Sequence, residues 1–210
     1  MNRVLIVDDH PVVRLAVRML MERHGYEVVG ETDNGVDALQ LAREQKPDIV
    51  ILDIGIPRLD GLEVIHRLTA PIHTVPVKVL VLTSQTPGHF SGRCMQSGAA
   101  GYVCKEQNLT ELLSAIKAVL SGYSYFPNQA LHSVRANMAN ASEADMVDRL
   151  SGREMMVLQQ LAKGRSNKEI AEGMFLSNKT VSTYKTRLLG KLNARSLVDL
   201  IELAQRNGIA

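Results

Sequence analysis

Through the first 120 positions, short apolar runs alternate with stretches in which apolar residues recur every three or four places. The runs are RVLIV at 3–7, the weaker EVVGE at 27–31, DIVILD at 48–53, VKVLVLT at 77–83 and AGYVCK at 100–105. Between them, Val13, Val17, Leu20 and Met21 fall on one face of a helix at 11–23. Val36, Leu39 and Ala42 begin a second helix after the turn DNG at 33–35, and GLEVIHRL at 61–68 makes a third. A fourth covers about 87–97, and a fifth at 109–120 carries Leu112, Leu113, Ile116 and Leu120 on one side. Five strand–helix units in strict alternation predict an α/β, doubly wound, five-stranded parallel sheet covered on both faces.

The pattern changes after residue 122. Residues 123–148 are rich in Ala, Asn and Ser and weakly periodic, which predicts a linker with room for one short helix. From 149 to 210 the periodicity is all helical. Two domains are therefore expected, at 1–122 and 149–210, the second all-α.

Charge sharpens this division. The whole chain carries a formal +2, but residues 149–210 hold 11 Lys and Arg against 5 Asp and Glu, a net of +6, and residues 1–148 hold 13 against 17, a net of −4. An acidic front and a basic back point to an anionic partner for the second module. The two cysteines, Cys94 and Cys104, lack metal-site spacing and are too few for a disulfide framework, so they read as small apolar fillers. The opening MNRVLIVDDH meets acids after four apolar residues, and no uncharged run reaches the ~18 residues of a membrane span. A cytoplasmic protein without a membrane partner is expected.

The strands end on chemistry. The first ends in Asp8 and Asp9, the third in Asp53, the fourth in Thr83 and Ser84, and the fifth in Lys105. In an open parallel sheet, ligands bind beyond the carboxyl ends of the strands, where strand order reverses. Any one of these residues alone could simply cap a helix or turn. Converging, three carboxylates repel one another, and a divalent cation such as Mg2+ relieves that repulsion. Cation, ammonium and hydroxyl are what a transferring phosphoryl group needs about its oxygens. Asp53 is then the candidate nucleophile, accepting phosphate as an acyl phosphate.

At these residues the chain resembles the receiver domain of bacterial response regulators, over about 1–122. The resemblance implies that Asp8, Asp9, Asp53 and the backbone carbonyl of Gly55 hold magnesium. It implies that Asp53 takes phosphate from a histidine kinase or phosphotransfer domain, that Thr83 and Lys105 contact the phosphoryl oxygens, and that Tyr102 fills an aromatic switch position. On activation Thr83 would move toward the phosphate and Tyr102 would follow inward.

In the basic half, Ser151 and Glu154 form a predicted capping box before a helix that buries Leu150, Val157, Leu158 and Leu161 and stops at Gly164. SNKEIAEGM makes a second, short helix capped by Ser166 or Asn167, and MFLS a turn. A third helix, starting at Ser177 or Asn178, places Val181, Tyr184, Leu188 and Leu192 on a core face. Lys179, Ser182, Thr183 and Thr186 share another face, and Lys185, Arg187 and Lys191 flank it. Hydroxyls and methyls on such a face reach base edges in a major groove while cations reach phosphates. Short helix, turn and longer helix predict a helix-turn-helix, although an ordinary solvated helix has the same spacing. SLVDLIELAQR at 196–206 is a fourth helix, with Leu197, Leu200, Ile201 and Ala204 on one face, for core or dimer contact.

Here the sequence is similar to the LuxR-type helix-turn-helix of the NarL/FixJ class, through SNKEIA at 166–171, LS at 176–177, TV at 180–181 and KL at 191–192. Within that class it most resembles the BvgA/EvgA group, through DIGIP, LSNKTVSTYKTRLL and YSYFP. The resemblance implies a phosphorylation-dependent transcription factor, not an enzyme, supplied by a hybrid sensor kinase. Its DNA set would be Lys179, Thr180, Ser182, Thr183, Lys185, Thr186, Arg187 and Lys191, on promoter half-sites, as a homodimer, with RNA polymerase a further candidate partner. Two rivals stand beside it. A phosphatase with an aspartyl nucleophile would need a second aspartate where Gly55 stands. A DNA-binding protein with a vestigial receiver would not need the acid, hydroxyl and lysine set.

Overall fold

In the computed structural model, which describes residues 1–70, 77–106, 109–127 and 143–209, the chain forms two units, Met1–Val134 and Arg135–Ala210. The first unit alternates β1 (Arg3–Val7), α1 (Pro11–Arg23), β2 (Glu27–Thr32), α2 (Gly35–Gln45) and β3 (Ile49–Leu52). It continues with α3 (Gly61–Thr69), β4 (Lys78–Thr83), α4 (Pro87–Gln96), β5 (Gly101–Cys104) and α5 (Leu109–Leu120). All strands are parallel, in the order β2-β1-β3-β4-β5.

The sheet is covered on both faces, which is why its strands read as unbroken apolar runs. On one face Val4, Ile6, Ile49, Ile51, Leu80 and Leu82 pack with Val17 and Met21 of α1 and Leu112 and Ile116 of α5. The intervening residues turn to the face that α2, α3 and α4 cover. Helix α2 departs in part from the expected face: Ala42 is buried, but Val36 is exposed and Ala38 is buried in its stead. The helix begins at Gly35, capped by Asn34 accepting from the Asp37 amide, and two alanines let it lie close to the sheet.

One glycine sets the turn beneath the site. A Cβ on Gly61, the first residue of α3, would stand 2.4 Å from Ile54 Cα. No side chain fits there, so the loop that follows β3 lies directly on the start of α3. Ile54 itself is fully buried.

Strand β5 lies at an edge of the sheet, and the chain beyond α5 returns to it. The Tyr102 amide donates to the Tyr125 carbonyl at 2.7 Å, and the Tyr125 amide donates to the Ala100 carbonyl at 3.0 Å. Composition assigns residue 125 to the linker, yet it is paired with the sheet. A single-residue bridge leaves no periodic trace in a sequence. Residues 128–142, the greater part of the expected linker, lie outside the described residues.

The second unit comprises α6 (Glu143–Asp148), α7 (Gly152–Ala162), α8 (Asn167–Gly173), α9 (Asn178–Lys191) and α10 (Leu197–Arg206). Helix α6, within the expected linker, is tied to this unit: Arg206 and Asn207 donate to Glu143 at 3.1 and 3.3 Å. Capping boxes open α7 at Ser151 with Glu154 and α8 at Ser166 with Glu169, and Ser177 caps α9. Leu150, Val157, Leu158, Ile170, Val181, Leu188, Leu192, Leu200 and Ala204 are buried. Tyr184, expected beside Val181, is only half-buried; its ring faces outward to the Arg187 guanidinium, 6.0 Å from the ring centroid.

Candidate functional site

The sheet ladder runs one residue past three of its strands and fixes the site. The Asp8 amide donates to the Thr32 carbonyl of β2 at 3.1 Å, the Asp53 amide to the Val7 carbonyl of β1 at 2.8 Å, and the Lys105 amide to the Thr83 carbonyl of β4 at 2.8 Å. Each backbone is thus set by the neighbouring strand, and the three side chains converge where strand order reverses between β1 and β3.

Lys105 Nζ stands 2.6 Å from Asp8 Oδ2 and 2.6 Å from Asp53 Oδ2. Asp8 and Asp53 are only 3% and 5% exposed, so this ammonium is what makes two buried carboxylates tolerable. Burial and the Asp53 charge push the Asp8 carboxyl above its ordinary value, against the pull of Lys105. Burial alone would lower the Lys105 ammonium, but Asp53 and Asp8 outweigh it and the net shift is upward. The second Asp53 oxygen accepts the Gly55 amide at 3.0 Å. This bond turns the backbone back over the carboxylate, and a Cβ at 55 would sit 3.5 Å from both Asp53 oxygens.

Asp9 joins the cluster with a buried Oδ1 that lies against the His10 imidazole. Ligand atoms of Asp8, Asp9, His10 and Asp53 lie within 4.8 Å of one another. The residues therefore suit a hard divalent cation: three carboxylates whose ligand oxygens lie close together. His10 is the member that the sequence pattern does not single out. Its Nδ1 lies 2.7 Å from Asp9 Oδ1 and 3.3 Å from Asp8 Oδ1. The only signal was its place directly after two acids.

Thr83 is buried at the end of β4, and its hydroxyl accepts from the Gln85 amide at 3.4 Å. Tyr102, the expected switch residue, stands beside this turn. It is 1% exposed, with its hydroxyl donating to the Gln85 carbonyl at 2.7 Å. A buried phenol needs a partner, and this carbonyl supplies one. Burial holds its ionisation well above the ordinary phenol range, so it remains a donor.

In the second unit the expected face of α9 is exposed at Lys179, Ser182, Thr183, Thr186 and Arg187, with Thr180 and Lys185 half-exposed. The hydroxyls of Ser182, Thr183 and Thr186 donate to the carbonyls four residues back, at 3.0, 3.0 and 3.2 Å. Their protons are committed to the helix, so this face offers oxygen lone pairs and methyls. The Thr180 hydroxyl is 2.7 Å from that of Ser177 at the cap. Lys191 differs from its neighbours: its Nζ lies 2.7 Å from Glu154 Oε2, a carboxylate buried in the α7 capping box. Burial works against ionisation of Glu154, but Lys191 and the Ser151 amide outweigh it and lower its pKa.

An acid-and-lysine pocket at the switch point of a parallel sheet, with a helix-turn-helix in a second unit, defines a receiver-controlled DNA-binding regulator. Residues 4–117 match the response regulator receiver domain family and residues 148–204 match the bacterial regulatory proteins of the luxR family, so the chain belongs to the response regulators with a luxR-type DNA-binding domain. It is 60% identical over 209 residues to the virulence-factor transcription regulator BvgA of Bordetella pertussis, covering 100% of this chain and 99% of that one. It is 38% identical to the DNA-binding transcriptional activator EvgA of Escherichia coli K12, covering 98% of each. Among solved structures it is similar to RcsB of Salmonella enterica bound to a promoter in the presence of phosphomimetic BeF3-, with a TM-score of 0.58, 26% identity, and 96% and 97% of the chains covered. The protein is a phosphorylation-dependent transcription regulator. Among its described residues no helix is long and apolar enough to cross a membrane.

Proposed function

We propose that Asp53 is the phospho-acceptor and that its phosphorylation gates dimerisation and DNA binding through α9. The observation that carries this is the Lys105 ammonium shared by Asp8 and Asp53, beside the Asp9 carboxylate. A carboxylate oxygen of Asp53 attacks the phosphorus of a phosphohistidine, the bond from phosphorus to the donor nitrogen breaks, and an acyl phosphate forms. Lys105 leaves the Asp53 oxygen for the phosphoryl oxygens, and the Thr83 hydroxyl donates to them. Asp8, Asp9, Asp53 and the Gly55 carbonyl are the residues that would hold Mg2+. That ion would supply neutralising charge for the phosphoryl oxygens.

The response begins at the turn after β4. Thr83 and Gln85 lie in it, and Tyr102 is hydrogen-bonded to Gln85, so the aromatic ring moves with the turn rather than swinging in from solvent. At the output end, Lys179, Lys185 and Arg187 neutralise DNA phosphates while Ser182, Thr183 and Thr186, with Thr180 at the rim, meet base edges. One such helix makes few strong base contacts, each worth about 1–3 kcal/mol. A dimer on two half-sites about 10 base pairs apart multiplies them. The donor is a sensor histidine kinase or phosphotransfer domain, and the protein acts in the cytoplasm, in reach of RNA polymerase. It is a regulator, not an enzyme: Gly55, two residues after Asp53, offers no acid–base side chain.

The test is incubation with acetyl phosphate and Mg2+, followed by intact-mass measurement and footprinting. A single added phosphoryl group that Asp53→Asn abolishes, with stronger paired protection of DNA, is the expected result. Labelling of Asp53→Asn at the wild-type rate would remove the assignment.

A further inference from the structure

The segment YSYFP, at 123–127 of the first unit, has no part in either site described above, yet it is hydrogen-bonded to Tyr102. Tyr102 has two polar attachments. Its hydroxyl donates to the Gln85 carbonyl, in the turn that follows Thr83. Its backbone amide donates to the Tyr125 carbonyl at 2.7 Å. The return bond, from the Tyr125 amide to the Ala100 carbonyl at 3.0 Å, completes a bridge on the outer edge of β5.

One further contact holds Tyr125 in that place, and two features around it shape the fit. Its hydroxyl donates to Glu111 Oε1 of α5 at 3.2 Å. Lys78 Nζ donates to the Leu120 carbonyl at 2.8 Å, which fastens the end of α5 to β4. Gly101 leaves room: a Cβ there would stand 3.0 Å from the Tyr125 carbonyl oxygen and 2.7 Å from a Leu80 methyl. The bridge is therefore a fitted contact on the strand that also carries Lys105 at its end.

We infer that Tyr125 is a positioning residue for the phosphorylation response. Its backbone pairing with β5 carries the movement of Tyr102 to the segment that follows α5. This rests on Asp53 being the acceptor. A bridge of two backbone hydrogen bonds has two discrete states, paired and unpaired, and phosphorylation biases them because Tyr102 is a member of both the Gln85 contact and the bridge. The linker then starts from a fixed or a released point. Tyr125 touches no reacting atom, so its loss leaves chemistry at Asp53 intact and removes its consequence.

The experiment uses the full chain, acetyl phosphate with Mg2+ as phosphodonor, and three proteins: wild type, Tyr125→Pro and Tyr125→Phe. Proline removes the donor to Ala100; phenylalanine keeps both backbone bonds. Labelling at Asp53 and the gain in DNA affinity on phosphorylation are measured for each. The expected result is labelling within about twofold in all three, with the affinity gain reduced about fivefold in Tyr125→Pro, the weight of one hydrogen bond, and kept in Tyr125→Phe. Hydrogen exchange on wild type is the second readout: protection of the Tyr102 and Tyr125 amides should change together on phosphorylation. A full affinity gain in Tyr125→Pro, or unchanged protection of both amides in phosphorylated wild type, overturns the inference. Absent labelling of wild type would instead remove the acceptor assignment beneath it.

Discussion

The Lys105 ammonium lies 2.6 Å from the Asp53 carboxylate, across 52 residues of chain, and equally close to Asp8. It occupies the carboxylates that a divalent cation would share. Removing that charge should therefore help the cation. Lys105→Met is expected to bind Mg2+ roughly tenfold more tightly, as loss of one like charge a few ångströms away implies at protein dielectric. Calorimetric titration of both proteins decides it; equal or weaker binding by the variant would show that Lys105 does not compete.

Asp53→Asn is expected to abolish phosphoryl incorporation while the protein keeps its fold. The Asp53 amide still pairs with Val7, and Asp8 still pairs with Lys105, so the sheet loses nothing. Intact mass after acetyl phosphate, together with circular dichroism, checks both halves.

A fragment beginning at residue 143 should bind DNA alone, because Glu143 is tied to Arg206 and Asn207. Its affinity should fall with salt at a log–log slope of about −0.9 for each phosphate neutralised. Lys185→Ala and Arg187→Ala should each flatten that slope by about one. Lys191→Ala should leave it nearly unchanged, since the Lys191 ammonium is engaged by Glu154. A loss of slope in Lys191→Ala equal to that in Arg187→Ala would return Lys191 to the DNA surface.

The same pair predicts an acid response. The Glu154 pKa lies below its ordinary 4.5, so its stabilisation is fully present above 4.5 and is lost as pH falls through the lowered folded value. Lys191→Met removes a cause of that lowering. Acid unfolding of the fragment should then begin at higher pH in the variant, followed by helical signal during acid titration.

Much of the architecture was readable because strands here change from apolar to polar within one residue. That abrupt change marked Asp8, Asp53 and Lys105, and parallel topology brings strand ends together whatever their distance in sequence. Spacing on α9 likewise gave its exposed face. Spacing could not give the destination of a long side chain. Lys191 and Arg187 look alike in the sequence, yet one reaches a buried carboxylate on another helix and the other lies against Tyr184. Nor could it show Tyr125 or His10, which act through one backbone pairing and one imidazole and impose no period. The inward course of Tyr102 on activation is what the family resemblance implies, and spacing could not show that its hydroxyl reaches the Gln85 carbonyl.

The contact of Gly61 with Ile54, 2.4 Å for any added Cβ, has a genetic consequence. Any missense change in the first two bases of a glycine codon adds a Cβ, so single-nucleotide missense at this position is expected to displace the loop. A random mutagenesis selecting for loss of signalling should return codon 61 repeatedly, beside the codons for the acids, although glycine there carries no chemistry. Such alleles should be suppressed by none of the changes that act on charge or phosphate donor supply, because the lesion is a displaced loop. Position 61 is in this sense part of the heritable definition of the pocket.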